Sequence, residues 1–222
     1  MAAERAGRLE RIVDHGADTR SLFLRLPAPL PFRPGQFISC LLPVGDGIIR
    51  PYSIASGPEE PACLELLLNL LPGGPGSSYL FGLAPGASVR FTGPWGAFVL
   101  DTAPAAETVF IAAGTGIAPI RPMLRCALAT GAGHPVRLLY GTAGPVVYGD
   151  ELDALAASTA AFRCARVPAA DLLAETRRRW VDADTDRSRH FFVCGVGAIV
   201  PALRDLLRGA GYVRRAVQYE KW

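Results

Sequence analysis

Two glycines stand where a strand-like segment changes into a helical pattern, in the sequence GTGIAP at positions 114–119. A strand, a glycine turn and a helix in succession bring free backbone N–H groups and the positive end of the helix dipole to one point, and the glycines let a phosphate approach the backbone closely. The third glycine of the full dinucleotide fingerprint is missing, so an ordinary strand–helix turn is the alternative. The candidate pyrophosphate-binding residues are Gly114, Thr115, Gly116, Ile117, Ala118 and Pro119.

A cation, an aromatic ring and a hydroxyl group occur together in an expected strand, at Arg50, Pro51, Tyr52 and Ser53. Arg50 can clamp a pyrophosphate with two hydrogen bonds, and Tyr52 can stack on a flat ring. Ser53 can form a hydrogen bond with a ring nitrogen or carbonyl. The alternative is a turn-rich strand with an exposed arginine.

A glycine-rich loop ahead of a short helical segment supplies four more candidates, Gly74, Gly76, Ser77 and Ser78. Either serine can cap the helix, which leaves backbone N–H groups facing a second phosphate. The alternative is a long hairpin loop.

A thiol and a glycine, Cys194 and Gly195, stand at the end of another buried-type strand. The carboxyl ends of parallel strands face the ligand crevice of a nucleotide-binding sheet. A lone buried cysteine is more often just a small apolar residue. Only the order of the other motifs makes a role in the site credible.

The elements that would position these residues differ between the two parts of the chain. Up to about residue 100, short runs of β-branched and large apolar residues alternate with Gly/Pro turns, which is typical of a β-barrel or sandwich. After Asp101, strand and helix patterns alternate, which predicts a doubly wound, mostly parallel sheet. We therefore predict two domains, 1–101 and 102–222.

Composition excludes several classes of function. The net charge of +3 is spread thinly over 222 residues, which is not the charge pattern of a nucleic-acid-binding protein. The one dense cluster of positive charge is RRR at 177–179, which is either a solvated helix end or a docking patch for an acidic partner. The apolar runs are too short to span a bilayer, and the first ten residues do not resemble a signal peptide, so we expect a cytoplasmic protein with no membrane association. The five cysteines lack iron–sulfur or zinc spacing and the three histidines are scattered, so we expect no metal.

Eight short motifs, taken in order, carry a resemblance to the ferredoxin–NADP reductase superfamily over nearly the whole chain. They are PGQF at 34–37, RPYS at 50–53, GPGS at 74–77, GPWG at 93–96, GTGIAP at 114–119, YG at 140–141, CG at 194–195 and YEKW at 219–222. The resemblance implies an antiparallel Greek-key barrel that binds flavin, followed by an α/β domain that binds NAD(P)H. It also implies a reductase module without a fused iron–sulfur domain.

The resemblance assigns roles to the candidate residues. Arg50, Tyr52 and Ser53 would hold the flavin, with Ser53 near its N5 edge, and the loop at 74–77 would bind the flavin phosphates. The segment 114–118 would take the pyrophosphate of the nicotinamide nucleotide, with Thr115 beside the nicotinamide and Tyr140 and Gly195 nearby. The catalytic set would be Ser53, Cys194, Glu220 and Trp222, with the terminal Trp222 stacked on the flavin ring as a displaceable lid; a frayed terminus is the alternative for Trp222.

The sequence departs from the family pattern where a 2′-phosphate would bind. Ala143 stands where many relatives have arginine, and the sequence RVP at 166–168 lacks the serine of the usual Ser-Arg pair. Arg163 or Arg166 could still serve, so NADH and NADPH both stay open, with a slight preference for NADH. FAD is favoured over FMN because the loop at 74–77 offers a second phosphate site.

The resemblance implies hydride transfer from C4 of NAD(P)H to flavin N5 and onward release of electrons. The expected acceptor is a separate small electron carrier, namely a ferredoxin, a Rieske protein or an oxygenase component. The alternatives are a flavin reductase that releases reduced flavin and a nucleotide-binding subunit without turnover.

Overall fold

The computed structural model of the protein describes residues 3–100, 102–130, 133–183 and 185–222. The first part consists of β1 (Arg5–Asp14), β2 (Thr19–Arg25), β3 (Phe37–Leu42), β4 (Ile48–Ser53), β5 (Cys63–Asn69), α1 (Pro75–Phe81) and β6 (Ser88–Trp95). The second part consists of β7 (Thr108–Ala113), α2 (Ile117–Ala129), β8 (Val136–Thr142), α3 (Gly149–Ser158), β9 (Phe162–Pro168), α4 (Leu172–Arg177), β10 (His190–Gly195), α5 (Ile199–Gly209) and β11 (Val217–Lys221). As the sequence predicts, short strands fill the first part, and strands and helices alternate in the second.

The first six strands form an antiparallel sheet in the order β4-β3-β6-β1-β2-β5. Its two edges meet, because Ile54 pairs with Leu66 in an isolated bridge and the N–H of Ala55 donates to the carbonyl of Glu65 at 2.8 Å. The result is a closed barrel in which β6 lies between β3 and β1, as in a Greek key. Alternate side chains of the strands fill its interior, among them Leu22, Leu24, Ile38, Leu66 and Phe91.

The last five strands form a parallel sheet in the order β11-β10-β7-β8-β9. Strand β7 is buried along almost its whole length, as expected for a central strand covered on both faces. Helices α2 and α3 cover the face towards the barrel, and α4 and α5 cover the other. The strand order reverses between β7 and β10, so a ligand crevice is expected beyond the carboxyl ends of these two strands. The predicted fold class is thus confirmed, whereas the boundary between the two domains falls on Asp101, outside the described residues.

The helical segment that contains the arginine cluster is not a single regular α-helix. A 3-10 turn (Ala169–Asp171) precedes α4, and a π-helical turn (Arg178–Asp182) follows it. The wider turn brings Trp180 inward, where its ring packs edge-on against Phe191 at a centroid distance of 6.0 Å. Of the arginine cluster, Arg178 and Arg179 both pair with Glu175, at 2.7 and 2.8 Å. These ion pairs favour the interpretation as a solvated helix end.

The glycine-rich loop also begins its helix differently from the prediction. The N-cap of α1 is Gly74, with Pro75 in the first turn, and no side chain caps the helix. Ser77 lies inside the first turn, where its hydroxyl donates to the carbonyl of Gly74 at 3.1 Å and accepts from the N–H of Leu71 at 3.0 Å. The prediction of a serine cap by Ser77 or Ser78 is therefore wrong, because Pro75 fits the helix start and Ser77 instead braces the loop.

Within the described ranges, no helix combines the length and the apolar character needed to cross a lipid bilayer.

Candidate active site

A cavity of about 500 Å³ opens between the barrel and the carboxyl edge of the parallel sheet. It brings together residues that are far apart in the sequence. The lining residues singled out from sequence are Arg50, Pro51, Tyr52, Ser53, Gly74, Gly76, Ser77, Thr115, Ala118 and Trp222. Three of the predicted motifs and the terminal tryptophan thus share one cavity.

Strand β4 supplies the polar wall of this cavity. Antiparallel pairing with β3 sets Tyr52 opposite Ile38 and Ser53 opposite Phe37. Burial raises the pKa of Tyr52 to about 12, so its phenol stays protonated and can donate a hydrogen bond at any physiological pH. Ser53 is buried, and Arg50 is exposed with its guanidinium donating to the carbonyl of Ile49 at 2.9 Å.

Helix α1 approaches β4 so closely that a Cβ at position 76 would press on neighbouring side chains. A Cβ there would lie 3.0 Å from Cγ of Arg50 and 3.2 Å from Cδ1 of Leu42. The glycine therefore lets the first turn of α1 lie against the aliphatic part of Arg50, so that both residues line the cavity. Ser78 is exposed and is not brought into this cavity.

A second cleft, of about 390 Å³, follows the carboxyl ends of β7, β8 and β10. Gly114, Thr115 and Tyr140 line it, as expected from sequence. Thr115, Asn69 and Val196 line both the cleft and the first cavity, so the two spaces adjoin at these residues.

The remaining residues of the glycine turn are buried and line neither space. A Cβ at Gly116 would overlap the carbonyl oxygen of Cys194, and one at Gly195 would come within 2.6 Å of Cβ of Ala113. These two glycines therefore let the turn after β7 pack directly against the end of β10, its parallel neighbour. Ile117 and Pro119 are likewise buried, at the start of α2.

Cys194 and Glu220 lie side by side in the register of β10 and β11. The Cys194 thiol is fully buried, and burial, with a further contribution from the Glu220 charge, raises its pKa far above the usual range, so it is a neutral thiol. Burial also raises the pKa of Glu220 to about 7. Its Oε2 is buried and has no hydrogen-bond partner among the described residues. A buried acceptor of this kind is costly unless a proton or a ligand satisfies it.

Trp222 is fixed by its backbone. Its N–H donates to the carbonyl of Gly195 at 3.1 Å, and its carbonyl accepts from the N–H of Gly197 at 3.2 Å. The indole is half-buried and meets the Phe37 ring edge-on at a centroid distance of 5.6 Å. These contacts argue against the frayed-terminus alternative, and they place an aromatic ring at the cavity.

Asn69 is a cavity residue that the sequence did not single out. It ends β5, and its Oδ1 is buried with no hydrogen-bond partner in the described part of the chain. The signal was a polar residue directly after the apolar run LLL at 66–68. An unpaired acceptor that lies where the two cavities adjoin is suited to a ligand N–H donor.

The comparisons with known proteins agree with this arrangement. Residues 6–100 match the model of the oxidoreductase FAD-binding domain, and residues 110–205 match that of the oxidoreductase NAD-binding domain. Ferredoxin–NADP reductase B of Sorangium cellulosum is 35% identical, with 86% of this chain and 85% of that protein covered. A reductase component of naphthalene 1,2-dioxygenase and salicylate 5-hydroxylase systems from Ralstonia sp. is 32% identical, and the chain spans only 62% of its length.

Solved structures share the fold. The cytochrome P450 reductase GcoB of Amycolatopsis superposes with a TM-score of 0.86 at 28% identity, with 100% of this chain and 71% of that chain covered. A ferredoxin NADP⁺ reductase from Neisseria gonorrhoeae, at 20% identity, shares the fold with a TM-score of 0.83 over 100% of this chain and 99% of that one. The chain therefore belongs to the ferredoxin–NADP reductase superfamily and is an NAD(P)H-dependent flavoprotein reductase with FAD- and NAD(P)-binding parts.

Proposed function

We propose that this protein transfers a hydride from NAD(P)H, bound in the 390 Å³ cleft, to FAD, bound in the 500 Å³ cavity. It then passes the electrons to a separate carrier protein. The observation that carries the proposal is that Thr115, Asn69 and Val196 line both spaces. Two ligands that meet at these residues would have their reactive ends next to each other, and such positioning is the protein's main contribution to hydride transfer.

The residues of the cavity fit FAD. Gly76 leaves room beside Arg50 that a Cβ would fill, which suits a pyrophosphate. Tyr52 offers a protonated phenol and an aromatic face, and Ser53 and Asn69 offer a hydroxyl and an unpaired carbonyl acceptor. When bound, FAD supplies the ability to accept two electrons as hydride and to release them one at a time.

The chain's own groups would shield and orient the reacting ligands. Trp222, whose ring rests on Phe37, would cover the cavity and exclude water, and it would yield its place to the nicotinamide when the nucleotide enters. Cys194 is a neutral, fully buried thiol that lines neither the cavity nor the cleft, so its contribution is to pack the strand end behind them. Glu220 holds or releases a proton at its carboxylate near neutral pH, because burial has brought its pKa to about 7.

The class of electron acceptor is proposed from the similar proteins, which are reductase components. The Ralstonia protein is a ferredoxin–NAD(P)⁺ reductase component, and an electron transfer component of toluate 1,2-dioxygenase from Pseudomonas putida is 31% identical over 87% of this chain. A ferredoxin, a Rieske protein or an oxygenase component is accordingly the proposed acceptor. We place the flavin-binding domain at 1–101 and the nucleotide-binding domain at 102–222.

The test is a visible absorption spectrum of the purified protein, reconstituted with FAD and mixed anaerobically with NADH or NADPH. We expect a bound flavin that survives gel filtration and bleaches within seconds of adding the preferred nucleotide. Flavin that leaves the protein on the column but is reduced when added in excess would indicate a flavin reductase instead. A bound flavin that neither nucleotide bleaches would overturn the proposal.

A further inference from the structure

One wall of the nucleotide cleft is the segment 142–147, which leads from the end of β8 towards α3. Its lining residues are Thr142, Ala143, Gly144, Pro145 and Val147. The barrel supplies another part of the lining, namely Asp18, Thr19 and Asn69. The Thr142 hydroxyl bonds with the backbone of Gly144 and Pro145, which shapes the segment but does not attach it to the barrel. The shape of the cleft therefore depends on the contacts that hold this segment against the barrel.

Tyr148 directly follows this segment and has an unusual backbone conformation. Its φ and ψ are 61° and 23°, in the left-handed region, and it is the one residue other than glycine with a positive φ in the described part of the chain. A Cβ disfavours this region, and such a conformation persists only where surrounding contacts hold it. The position of the cleft wall is therefore linked to whatever holds Tyr148.

The side chain of Tyr148 is held by contacts with both parts of the protein. Its hydroxyl donates to Oε1 of the buried Glu65 at 2.8 Å, and its ring meets the His15 ring edge-on at a centroid distance of 6.1 Å. The Arg121 guanidinium of α2 lies over the ring, 4.3 Å from its centre. Burial, with a further contribution from the Glu65 charge, raises the pKa of Tyr148 well above its usual range, so the phenol remains a donor. Tyr148 thus binds the end of the cleft wall to a carboxylate of the barrel.

The same oxygen of Glu65 also anchors the barrel turn that touches this wall. The Ser21 hydroxyl donates to Oε1 at 2.7 Å, and its oxygen lies 2.9 Å from Nε2 of His15, on the turn between β1 and β2. The next residue of that turn, Gly16, packs so closely on the wall that a Cβ there would lie 3.1 Å from Cγ of Pro145. One carboxylate oxygen therefore anchors two neighbouring pieces of chain at the cleft.

We infer that Tyr148 is a positioning residue for the nicotinamide nucleotide, because its hydrogen bond to Glu65 holds the segment 142–147 against the barrel in the shape that receives the nucleotide. The inference rests on the proposed function, since it takes the cleft to be the NAD(P)H site. Tyr148 lines neither the cleft nor the cavity, so it acts through the wall and not by touching a ligand. Without the bond, the left-handed backbone loses a contact that holds it, and the wall populates other positions. The apparent affinity then falls with the fraction of molecules that keep the receptive shape.

The test is Tyr148→Phe in the FAD-loaded protein, which keeps the ring and removes only the hydroxyl. We expect the KM for whichever of NADH and NADPH bleaches the flavin faster to rise about five- to tenfold, the order of one hydrogen bond to a charged group. The dissociation constant of the corresponding oxidised nucleotide, measured by calorimetry, should rise by a similar factor. The value of kcat should stay within about twofold, because a nucleotide that does bind meets the same flavin. The affinity for FAD should not change, since the segment 142–147 does not line the cavity.

Tyr212→Phe is the matched control. Tyr212 is also packed in a core, and its hydroxyl donates to the carbonyls of Trp180 at 2.9 Å and Asp186 at 3.1 Å. It lies on the sheet face away from the barrel, remote from the segment 142–147. Both substitutions remove one hydrogen-bonded hydroxyl and should cost similar stability in urea, but only Tyr148→Phe should change the KM.

Three results would overturn the inference. They are a KM that stays the same in Tyr148→Phe, a KM that rises equally in Tyr212→Phe, and a fall in kcat without a change in KM. Failure of both nucleotides to bleach FAD in the unaltered protein would instead overturn the proposed function. The two failures are therefore distinguishable, because the first three are measured on a protein that turns over.

Discussion

The carboxylate of Glu65 and the guanidinium of Arg121 meet at 2.7 Å where the barrel packs against the parallel sheet. Glu65 lies on β5 and is buried, and its other oxygen accepts hydrogen bonds from Ser21 at 2.7 Å and Tyr148 at 2.8 Å. Arg121, on α2, donates further to the carbonyl of Ala55 at 2.9 Å. Since Ser21 and Ala55 belong to the barrel and Arg121 and Tyr148 to the sheet part, one buried carboxylate ties the two parts together.

The first prediction is that Arg121→Met destabilises the protein by about 3 kcal/mol, because removing one partner leaves the buried Glu65 charge uncompensated. Urea unfolding followed by circular dichroism measures the loss. The double variant Glu65→Leu/Arg121→Met should recover most of it, since no charge is then left buried. The control Arg204→Met breaks an exposed ion pair and should cost less than about 1 kcal/mol. Equal losses for Arg121→Met and the control would contradict this account.

The second prediction concerns the contact between the turn after β7 and the end of β10. Gly116→Ala should destabilise the protein by about 1–3 kcal/mol, because its Cβ would overlap the Cys194 carbonyl and force the strand ends apart. The affinity of the cleft for NAD⁺ should fall with it. Gly209→Ala is the control, since a Cβ at this position in α5 meets nothing within 4 Å and alanine favours a helix. The shift in melting temperature of the two variants should have opposite signs, and equal shifts would contradict the packing role.

Much of the fold follows from local sequence, and part of the site does too. Strand and helix positions were predictable because short runs of β-branched and large apolar residues alternate with Gly/Pro turns up to about residue 100, and strand and helix patterns alternate after it. Residues 50–53 and 114–115 were predictable because the chemistry of each motif is contiguous. The helix after β9 was predictable as well, but its 3-10 and π-helical ends were not, because the π-helical turn depends on the contact of Trp180 with Phe191 across the core.

The roles of Glu65 and Asn69 depend on contacts between distant elements. Glu65 stands in the apolar run CLELLLN at 63–69 and is indistinguishable there from an exposed residue of an alternating strand. Only the approach of α2 gives it a partner in Arg121, 56 residues away. The packing of Gly116 was not predictable from local sequence either. Its sequence context suggests a phosphate contact, but the nearest atom to a Cβ there is the carbonyl oxygen of Cys194.

The third prediction is a pH dependence caused by Glu220. Its pKa is raised from 4.5 to about 7 in the folded protein, so the folded state holds a proton that the unfolded chain has lost between these pH values. Stability should therefore fall as the pH rises from about 4.5 to about 7, by roughly 2 kcal/mol after allowance for partial exposure, and then level off. Glu220→Gln should flatten the melting temperature in this window. A profile that is unchanged by this substitution would show that another group titrates.

The fourth prediction concerns Trp222, whose indole lines the cavity and rests on Phe37. If nicotinamide must displace this ring, Trp222→Ala should lower the dissociation constant for NAD⁺ about five- to tenfold, since an aromatic contact of about 1 kcal/mol no longer has to be broken. Flavin fluorescence should rise at the same time, as a quenching indole is removed, and Trp222→Phe should retain most of the original affinity. Trp95→Ala, which removes an exposed indole outside the cavity, is the control and should change neither quantity. If Trp222→Ala leaves both nucleotide affinity and hydride-transfer rate unchanged, the indole is a fixed wall of the cavity and not a lid.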